Sequence, residues 1–207
     1  MLSWHRATQN VTRHEGPTLI ALAGPNGAGK STVGPGLLRG ALLVTEFVDA
    51  DVIARGLSAF RPEAAAISAG RVMHVRLREL AGRRANFAFE TTLAGRSHAI
   101  WVRSLLAMGY EFGLVFLWLP KADLAVERVQ ARVQAGGHAI PEDTVRRRYA
   151  AGLRNFFSVY KHLATMWRFY DNSINTGPRL IAAGHERGGV RVLHRAIWDS
   201  IREEWSG

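Results

Sequence analysis

The chain contains no cysteine, which excludes disulfide bonds and thiolate metal sites. It has no apolar run near the ~20 residues that a membrane-spanning helix needs. Residues 1–17 also lack the continuous apolar core of a secretory signal. These absences predict a cytoplasmic protein without a membrane partner.

With 207 residues, 47% of them hydrophobic, the chain is long enough to bury a sizeable core. Residues 1–16 follow no clear pattern and are predicted to form an N-terminal arm. No linker or internal repeat interrupts the rest, so residues 17–207 are predicted to form a single domain.

The formal net charge of +10 allows two interpretations. An arginine-rich face could neutralise nucleic-acid phosphates, or the arginines could be solvated while a few handle a polyphosphate substrate. The basic residues are spread among helical stretches, and the one dense run is Arg146 to Arg148. We favour the second interpretation and do not expect a nucleic-acid partner.

Strand and helix patterns alternate from residue 18 onward, and residues 62–82 and 141–165 are each predicted to form a helix. Short apolar runs such as "TLIALAG", "NFAFETT" and "EFGLVFLWLP" predict buried strands, and the segments between them have helical patterns. Such alternation predicts an α/β fold with a mostly parallel sheet of five or six strands and helices on both faces. "RLIAAG" and "VRVL" predict a small C-terminal hairpin, and "RAIWDSIREEW" a closing helix.

The stretch "GPNGAGKST" after the first strand matches the phosphate-binding pattern G-x-x-x-x-G-K-[ST] of P-loop proteins. Glycines let backbone N–H groups surround a phosphate, and the helix that follows directs its positive end at the same anion. Lys30 is predicted to reach the β- and γ-phosphates of ATP, and the Ser31 hydroxyl to hold Mg²⁺. The predicted nucleotide-binding residues are Gly24, Pro25, Asn26, Gly27, Ala28, Gly29, Lys30, Ser31 and Thr32.

This chain lacks the second motif that two other classes of P-loop protein require. Transporter-type ATPases carry an apolar strand that ends in Asp-Glu and an "SGGQ"-like signature, whereas the long apolar strand of this chain ends "FLWLP". Guanine-nucleotide switches need an "NKxD"-type base reader, which is also missing. Phosphoryl transfer to a bound acceptor remains, and it needs positioning, charge neutralisation and a group near the acceptor hydroxyl.

Acidic residues at the ends of two predicted strands are candidates for the acceptor side. In "VDAD", Asp51 is predicted to be the catalytic base, with Asp49 as a rival and helix capping as the alternative role. In "FETT", Glu90, Thr91 and Thr92 are predicted to bind the acceptor, although Glu90 could instead bind water around Mg²⁺ or pair with a nearby arginine.

Residues 126–150 are predicted to form a helical lid that closes arginines over the triphosphate. Arg128 and Arg132 lie four residues apart on one helical face and are predicted to be catalytic. A glycine-rich break follows, in which His138 either contacts phosphate or caps a turn, and Arg147 is predicted to bind substrate. The alternative is that many of these arginines are solvated or paired with acids.

Five segments occur in an order that resembles the zeta toxin family of P-loop kinases: "GPNGAGKST", "FVDAD", "FETT", "RVQAGGHAIPEDTVRRRY" and "YDNS". The resemblance covers roughly residues 17 to 205, and the last two segments are its most specific part. It is nearest to the short bacterial branch described as predicted ATPases.

The resemblance implies ATP-dependent phosphorylation of a sugar hydroxyl, as on UDP-N-acetylglucosamine, by a toxin that an antitoxin restrains. It places Asp51 on the family's base, Glu90 and Thr92 on its acceptor loop, and Arg128 or Arg132 on a phosphate-contacting arginine. The chain departs from the toxins at two points. After Glu90 the toxins have a glycine and then a nearby arginine, whereas this chain reads "TTLAGR", so whether Arg96 serves as that arginine is left open. At the second lid arginine this chain reads "HAIP", which leaves His138 or Arg147 as the candidates to replace it. Related kinases act on other acceptors, including a nicotinamide dinucleotide.

Overall fold

The computed structural model describes residues 16–38, 44–137, 139–174 and 176–206. Residues 1–15 of the predicted arm and His138 of the predicted lid lie outside the described residues.

One sheet of seven strands organises the described chain, in the order β2-β3-β1-β4-β5-β6-β7. The first five strands of that order are parallel, and β6 and β7 are antiparallel. The strands are β1 Thr18–Ala23, β2 Glu46–Val48, β3 Phe87–Thr91, β4 Glu111–Trp118, β5 Met166–Asp171, β6 Arg179–His185 and β7 Gly189–Val192. The parallel part matches the predicted five-stranded core, and the predicted hairpin extends the same sheet.

The helices alternate with the parallel strands, as the sequence predicts. They are α1 Lys30–Gly36, α2 Ala50–Leu57, α3 Ala66–Gly82, α4 Ser97–Ala107, α5 Ala122–Gln134, α6 Glu142–Asn155, α7 Lys161–Leu163 and α8 Arg195–Trp205. In the described residues, no helix is long and apolar enough to cross a membrane.

Contacts from alternate residues of the strands show that helices cover both sheet faces. Gly34 of α1 packs so closely on Leu22 that a β-carbon there would overlap the Leu22 side chain. The opposite face carries Phe87 and Phe89, whose rings contact Trp101 of α4. Because successive side chains of a strand point to opposite faces, β1 is buried on both sides.

Two predicted helices have different ends in the structure. The helix predicted over residues 62–82 begins as a 3₁₀ turn, Pro62–Ala65, because proline fixes φ and donates no N–H group. The helix predicted over residues 141–165 contains a wider π turn, Phe156–Tyr160, and ends at Leu163. This π turn buries Phe156, Phe157 and Tyr160 against the sheet.

Candidate active site

Backbone conformation at the start of α1 forms the phosphate cradle. Gly29, the residue before the helix, has φ +82°, a conformation that side chains other than glycine rarely adopt. A β-carbon at Gly29 would also lie 2.6 Å from the Asn172 amide nitrogen. Glycine is therefore required at this position for two independent reasons.

Lys30 is the buried cation of the cradle, with 5% of its side chain exposed. Its Nζ donates hydrogen bonds to the backbone oxygens of Gly24 (2.8 Å) and Pro25 (2.9 Å). It also lies 3.5 Å from Oε1 of Glu90. A bound triphosphate would compete with these oxygens for the same ammonium group.

Glu90 ends the buried part of β3 and faces the first turn of α1. The Ser31 hydroxyl donates to its Oε2 over 3.4 Å. Burial raises the pKa of Glu90 above its ordinary value, the attraction of Lys30 opposes that rise, and the charges of Asp49 and Asp51 add to it. Ser31 and Glu90 therefore supply the hard oxygen atoms that Mg²⁺ prefers, next to the phosphate cradle.

The two aspartates after β2 have different roles in the structure. The buried Asp49 is the N-cap of α2, and its carboxylate accepts from the backbone N–H of Asp51 at 2.8 Å. Burial is the main cause that raises the pKa of Asp49. Asp51 lies in the first turn of α2, is partly exposed, and lines the same cleft as Lys30 and Glu90. The geometry thus separates the rival carboxylates into a capping group and a group open to a ligand.

The threonine hydroxyls of "FETT" stabilise the loop that follows β3. Thr91 Oγ1 accepts from the N–H of Leu93, and Thr92 Oγ1 accepts weakly from that of Ala94. Asn155 of α6 donates to the backbone oxygens of the same loop, at Leu93 (2.7 Å) and Ala94. In the described chain the two threonines are therefore turn-forming residues, and their binding of an acceptor stays a prediction.

Arg128 and Arg132 of α5 both line the cleft. The Arg128 guanidinium donates to the backbone oxygens of Asn172 (2.8 Å) and Ser173 (3.1 Å). Arg128 and Arg132 are four residues apart on α5 and therefore lie on the same face of the helix, which explains why both reach the cleft.

The arginine run of α6 divides by helical face. Arg146 pairs with Asp123 at 2.6 Å and with Glu142 at 2.8 Å, as expected of an exposed structural arginine. Arg147 is exposed and is not among the described residues that line the cleft. Arg148 instead extends towards the P-loop and lies 3.5 Å from Oδ1 of Asn26. The helix therefore directs Arg148, rather than the predicted Arg147, towards the nucleotide loop.

Asn172, in the "YDNS" segment after β5, is a site residue that the sequence reasoning did not assign. Its buried side-chain amide donates to the backbone oxygen of Ala28 at 2.7 Å, while its own backbone oxygen accepts from Arg128. One residue thus connects the P-loop to α5. The sequence feature that points to Asn172 is the position of "YDNS" at the end of a strand, because side chains there lie at the ligand-binding edge of a parallel sheet.

These elements enclose a cleft of about 490 Å³. Its lining includes six of the nine predicted nucleotide-binding residues, namely Asn26, Gly27, Gly29, Lys30, Ser31 and Thr32. Gly24, Pro25 and Ala28 contribute backbone oxygens that bind Lys30 and Asn172. The site combines a phosphate cradle, oxygen atoms suited to a cation and a carboxylate that is open to a ligand. Together these features define a P-loop nucleotide-binding protein of the kinase-like type.

Comparison with known proteins narrows this class to a family. The family model AAA_33, described as an AAA domain, matches residues 19–157. The chain belongs to this family.

A relative from Haemophilus influenzae, an uncharacterized protein, is 31% identical over 134 residues, which are 63% of this chain and 91% of the relative.

Solved structures show the same fold at low sequence identity. A chain of the complex AvrRxo1-ORF1:-ORF2 with ATP is 16% identical, with a TM-score of 0.70 over 90% of this chain and 63% of the other. This chain therefore spans less than two thirds of that protein. A chain of the PezAT chromosomal toxin–antitoxin system of Streptococcus pneumoniae is 15% identical, with a TM-score of 0.66 over 98% and 84% of the two chains.

Proposed function

We propose that this protein is an ATP-dependent kinase of the zeta toxin type, which transfers the γ-phosphate of ATP to a hydroxyl of a small acceptor. The observation that carries the proposal is the convergence of Lys30, Asp51 and Glu90 on one cleft at the P-loop. Asp51 lines this cleft and is partly exposed, so its carboxylate is open to the hydroxyl of an acceptor.

In the proposed reaction the triphosphate lies against the N–H groups of the first turn of α1. Lys30 exchanges its bonds to the Gly24 and Pro25 oxygens for bonds to the β- and γ-phosphates. Arg132 and Arg128 approach from α5 and stabilise the charge that develops on the transferring group.

Asp51 accepts the proton of the acceptor hydroxyl while the acceptor oxygen forms a bond to the γ-phosphorus. The bond from that phosphorus to the β–γ bridging oxygen breaks, and ADP leaves with the electron pair. Asp51 fits this role better than Asp49, because the Asp49 carboxylate already caps α2.

Ser31 and Glu90 are the residues that would hold Mg²⁺ beside the phosphates. Their oxygen atoms lie 3.4 Å apart and match the preference of Mg²⁺ for oxygen ligands from one or two side chains plus substrate phosphates. When bound, Mg²⁺ neutralises negative charge on the phosphate oxygens. Thr91, Thr92 and the residues around the predicted lid complete the proposed acceptor side.

We propose a nucleotide sugar such as UDP-N-acetylglucosamine as the acceptor and an antitoxin protein as the partner, in the cytoplasm where ATP is held. The resemblance of "RVQAGGHAIPEDTVRRRY" and "YDNS" to the zeta toxins supports both. The likeness in fold to chains of AvrRxo1-ORF1:-ORF2 and of PezAT, a toxin–antitoxin system, is consistent with such a partner.

The test is incubation with ATP and Mg²⁺ and a panel of nucleotide sugars and dinucleotides, followed by mass spectrometry. We expect one acceptor to become heavier by one phosphoryl group. ADP formation that no acceptor on the panel accelerates, with no phosphorylated product, would contradict the proposal.

The toxin role has a separate test, which is growth of a bacterial host after induction of the wild-type chain. We expect growth arrest with the wild type and normal growth with Lys30→Met at equal protein levels. Equal arrest by both would separate toxicity from phosphoryl transfer and remove the toxin part of the proposal.

A further inference from the structure

Three residues of α6 lie on one face of the helix and meet two different loops. Arg148, Gly152 and Asn155 follow one another at intervals of four and three residues, a spacing that places them on the same side of an α-helix. Arg148 lies 3.5 Å from Oδ1 of Asn26 in the P-loop. Gly152 and Asn155 instead contact residues 92–96, which connect β3 to α4 and which we call the β3–α4 loop. One face of α6 therefore meets both the nucleotide loop and the loop on the proposed acceptor side.

Asn155 uses both ends of its side-chain amide on the β3–α4 loop. Its nitrogen donates to the backbone oxygens of Leu93 (2.7 Å) and Ala94 (3.2 Å). Its oxygen accepts from Nε of Arg96 at 2.9 Å. Because Asn155 is buried, its removal would take from the loop hydrogen bonds that solvent does not readily replace.

The β3–α4 loop has a backbone shape that needs such support. Leu93 is buried and has φ +55°, a left-handed conformation that is unfavourable for residues other than glycine. The Tyr160 hydroxyl, from the π turn after α6, donates to the Gly95 oxygen at 2.7 Å. A β-carbon at Gly152 would overlap the Thr92 backbone oxygen, so α6 lies directly against the loop. The helix and the π turn together thus hold a loop in a strained conformation.

Both ends of this helical face lie beside the proposed reaction. The loop begins two residues after Glu90, whose carboxylate lies 3.5 Å from Nζ of Lys30. At the other end, Asn26 lines the nucleotide cleft, so a bound triphosphate would attract the Arg148 guanidinium beside it. Arg148 and Asn155 are about 10 Å apart along the helix axis. Because a helix is a rigid element, a contact that fixes Arg148 also restricts the movement of Asn155.

We propose that Asn155 is a positioning residue, which holds the β3–α4 loop in the shape that binds the acceptor. Nucleotide binding strengthens this hold through Arg148 and α6. The role rests on the proposed function for its acceptor, but its effect on the loop can be measured with nucleotide alone.

Hydrogen–deuterium exchange followed by mass spectrometry tests the hold on the loop without an acceptor. In the nucleotide-free protein we expect the amides of residues 92–97 to exchange about tenfold faster, or more, in Asn155→Ala than in the wild type. Ser158→Ala is the matched control and should exchange as the wild type does, because its exposed hydroxyl bonds only to the Arg154 oxygen among the described contacts.

The same measurement with Mg²⁺ and a saturating non-hydrolysable ATP analogue tests the coupling. Bound nucleotide should slow exchange of the loop by about threefold or more in the wild type and in Ser158→Ala. It should not do so in Arg148→Gln or in Asn155→Ala, although both variants still bind the analogue.

Three results would overturn the proposal or part of it. Equal exchange of the nucleotide-free loop in the wild type and in Asn155→Ala would remove the positioning role. Equal protection by nucleotide in the wild type and in Arg148→Gln, or none in a wild type that binds the analogue, would remove the coupling. If a thermal melt shows that Asn155→Ala unfolds, Asn155→Asp decides, because it keeps the size of the side chain and loses both donors to the loop oxygens. Unchanged exchange in Asn155→Asp would remove the positioning role as well.

The transfer assay with UDP-N-acetylglucosamine adds a measurement that a purely structural role would not change selectively. We expect Asn155→Ala to raise KM for this acceptor about tenfold or more, while kcat and the KM for ATP change by less than about threefold. A loss of kcat with an unchanged acceptor KM would contradict a role in positioning the acceptor loop. A wild type that does not phosphorylate this sugar would count against the proposed acceptor, and the exchange measurements would still decide the role of Asn155.

Discussion

The nucleotide side and the acceptor side of the candidate active site differ in how far the chain itself completes them. On the nucleotide side, Lys30, Asn172 and Arg128 are all held by backbone oxygens of the P-loop or of the segment after β5. On the acceptor side, Asp51 is partly open to solvent. The nucleotide side is therefore preorganised by contacts within the chain, whereas the acceptor side has space in which a ligand would make its own contacts.

This difference indicates which side of the site determines the reaction type and which determines specificity for the acceptor. A preorganised cradle stabilises charge without rearranging during the reaction, so it can be shared by proteins with many acceptors. In the proposed reaction the acceptor would be selected on the open side, where Asp51 lines the cleft. Removing groups from each side should therefore have distinct effects.

The largest expected effect is loss of the cradle cation. Lys30→Met should lower phosphoryl transfer by about 10³-fold or more, because no other buried cation lies among the described P-loop residues. Transfer of labelled γ-phosphate to the acceptor measures it. Lys121→Met, at an exposed position before α5, is the matched control and should retain full activity. Comparable activity in both variants would show that the cradle is not the reaction site.

The next effect separates the two aspartates after β2. Asp51→Asn should lower the transfer rate by about 10²- to 10³-fold while nucleotide affinity is retained, because the proton acceptor is lost. Asp49→Asn should keep near-normal activity, because asparagine also caps helices well. Steady-state kinetics and nucleotide titration measure both variants. The reverse pattern would make Asp49 the base.

A smaller effect is expected from the arginines. Arg132→Gln should reduce the transfer rate by about 10²-fold, because a cation that lines the cleft is lost. Arg147→Gln should change it by less than about twofold, since this exposed side chain contributes a weakly coupled surface charge. The same transfer assay compares the two. A larger loss in the Arg147 variant would support the original sequence-based assignment of Arg147 to the substrate.

The smallest effect concerns the pH dependence of stability. Because the pKa of Glu90 is raised above 4.5, the folded state retains a proton that the unfolded state releases, so stability falls as pH rises through the window above 4.5. In Glu90→Gln the stability should fall less steeply with pH. The remaining fall comes from Asp49, whose pKa is also raised, from 3.8. Denaturant melts at a series of pH values measure it. A wild-type and a variant curve that run parallel across this window would contradict the burial argument.

Much of the fold could be predicted because the apolar pattern of the chain is strong. The hydrophobic periodicity and the residues that bound each segment predicted β1, β3, β4 and α8. The P-loop motif predicted the strand, glycine-rich turn and helix around it. The 3₁₀ start at Pro62 and the π turn at Phe156 could not be predicted, because they depend on tertiary packing rather than on local pattern.

The candidate site could be predicted in part. Strand-end position was enough to suggest Asp51 and Glu90, but only the direction of the Asp49 carboxylate separates the two aspartates. Arg148 could have been preferred to Arg147 from periodicity, since it lies beside the buried stripe of Val145 and Tyr149. Asn172 was missed because its role depends on a contact between residues 144 positions apart.

A crystal structure with Mg²⁺ and a non-hydrolysable ATP analogue tests the central claim most directly. We expect the γ-phosphate against Lys30, with the Asp51 carboxylate facing it across a gap that fits an acceptor hydroxyl. A triphosphate bound elsewhere, or an Asp51 side chain directed away from the γ-phosphate with no space between them, would contradict it.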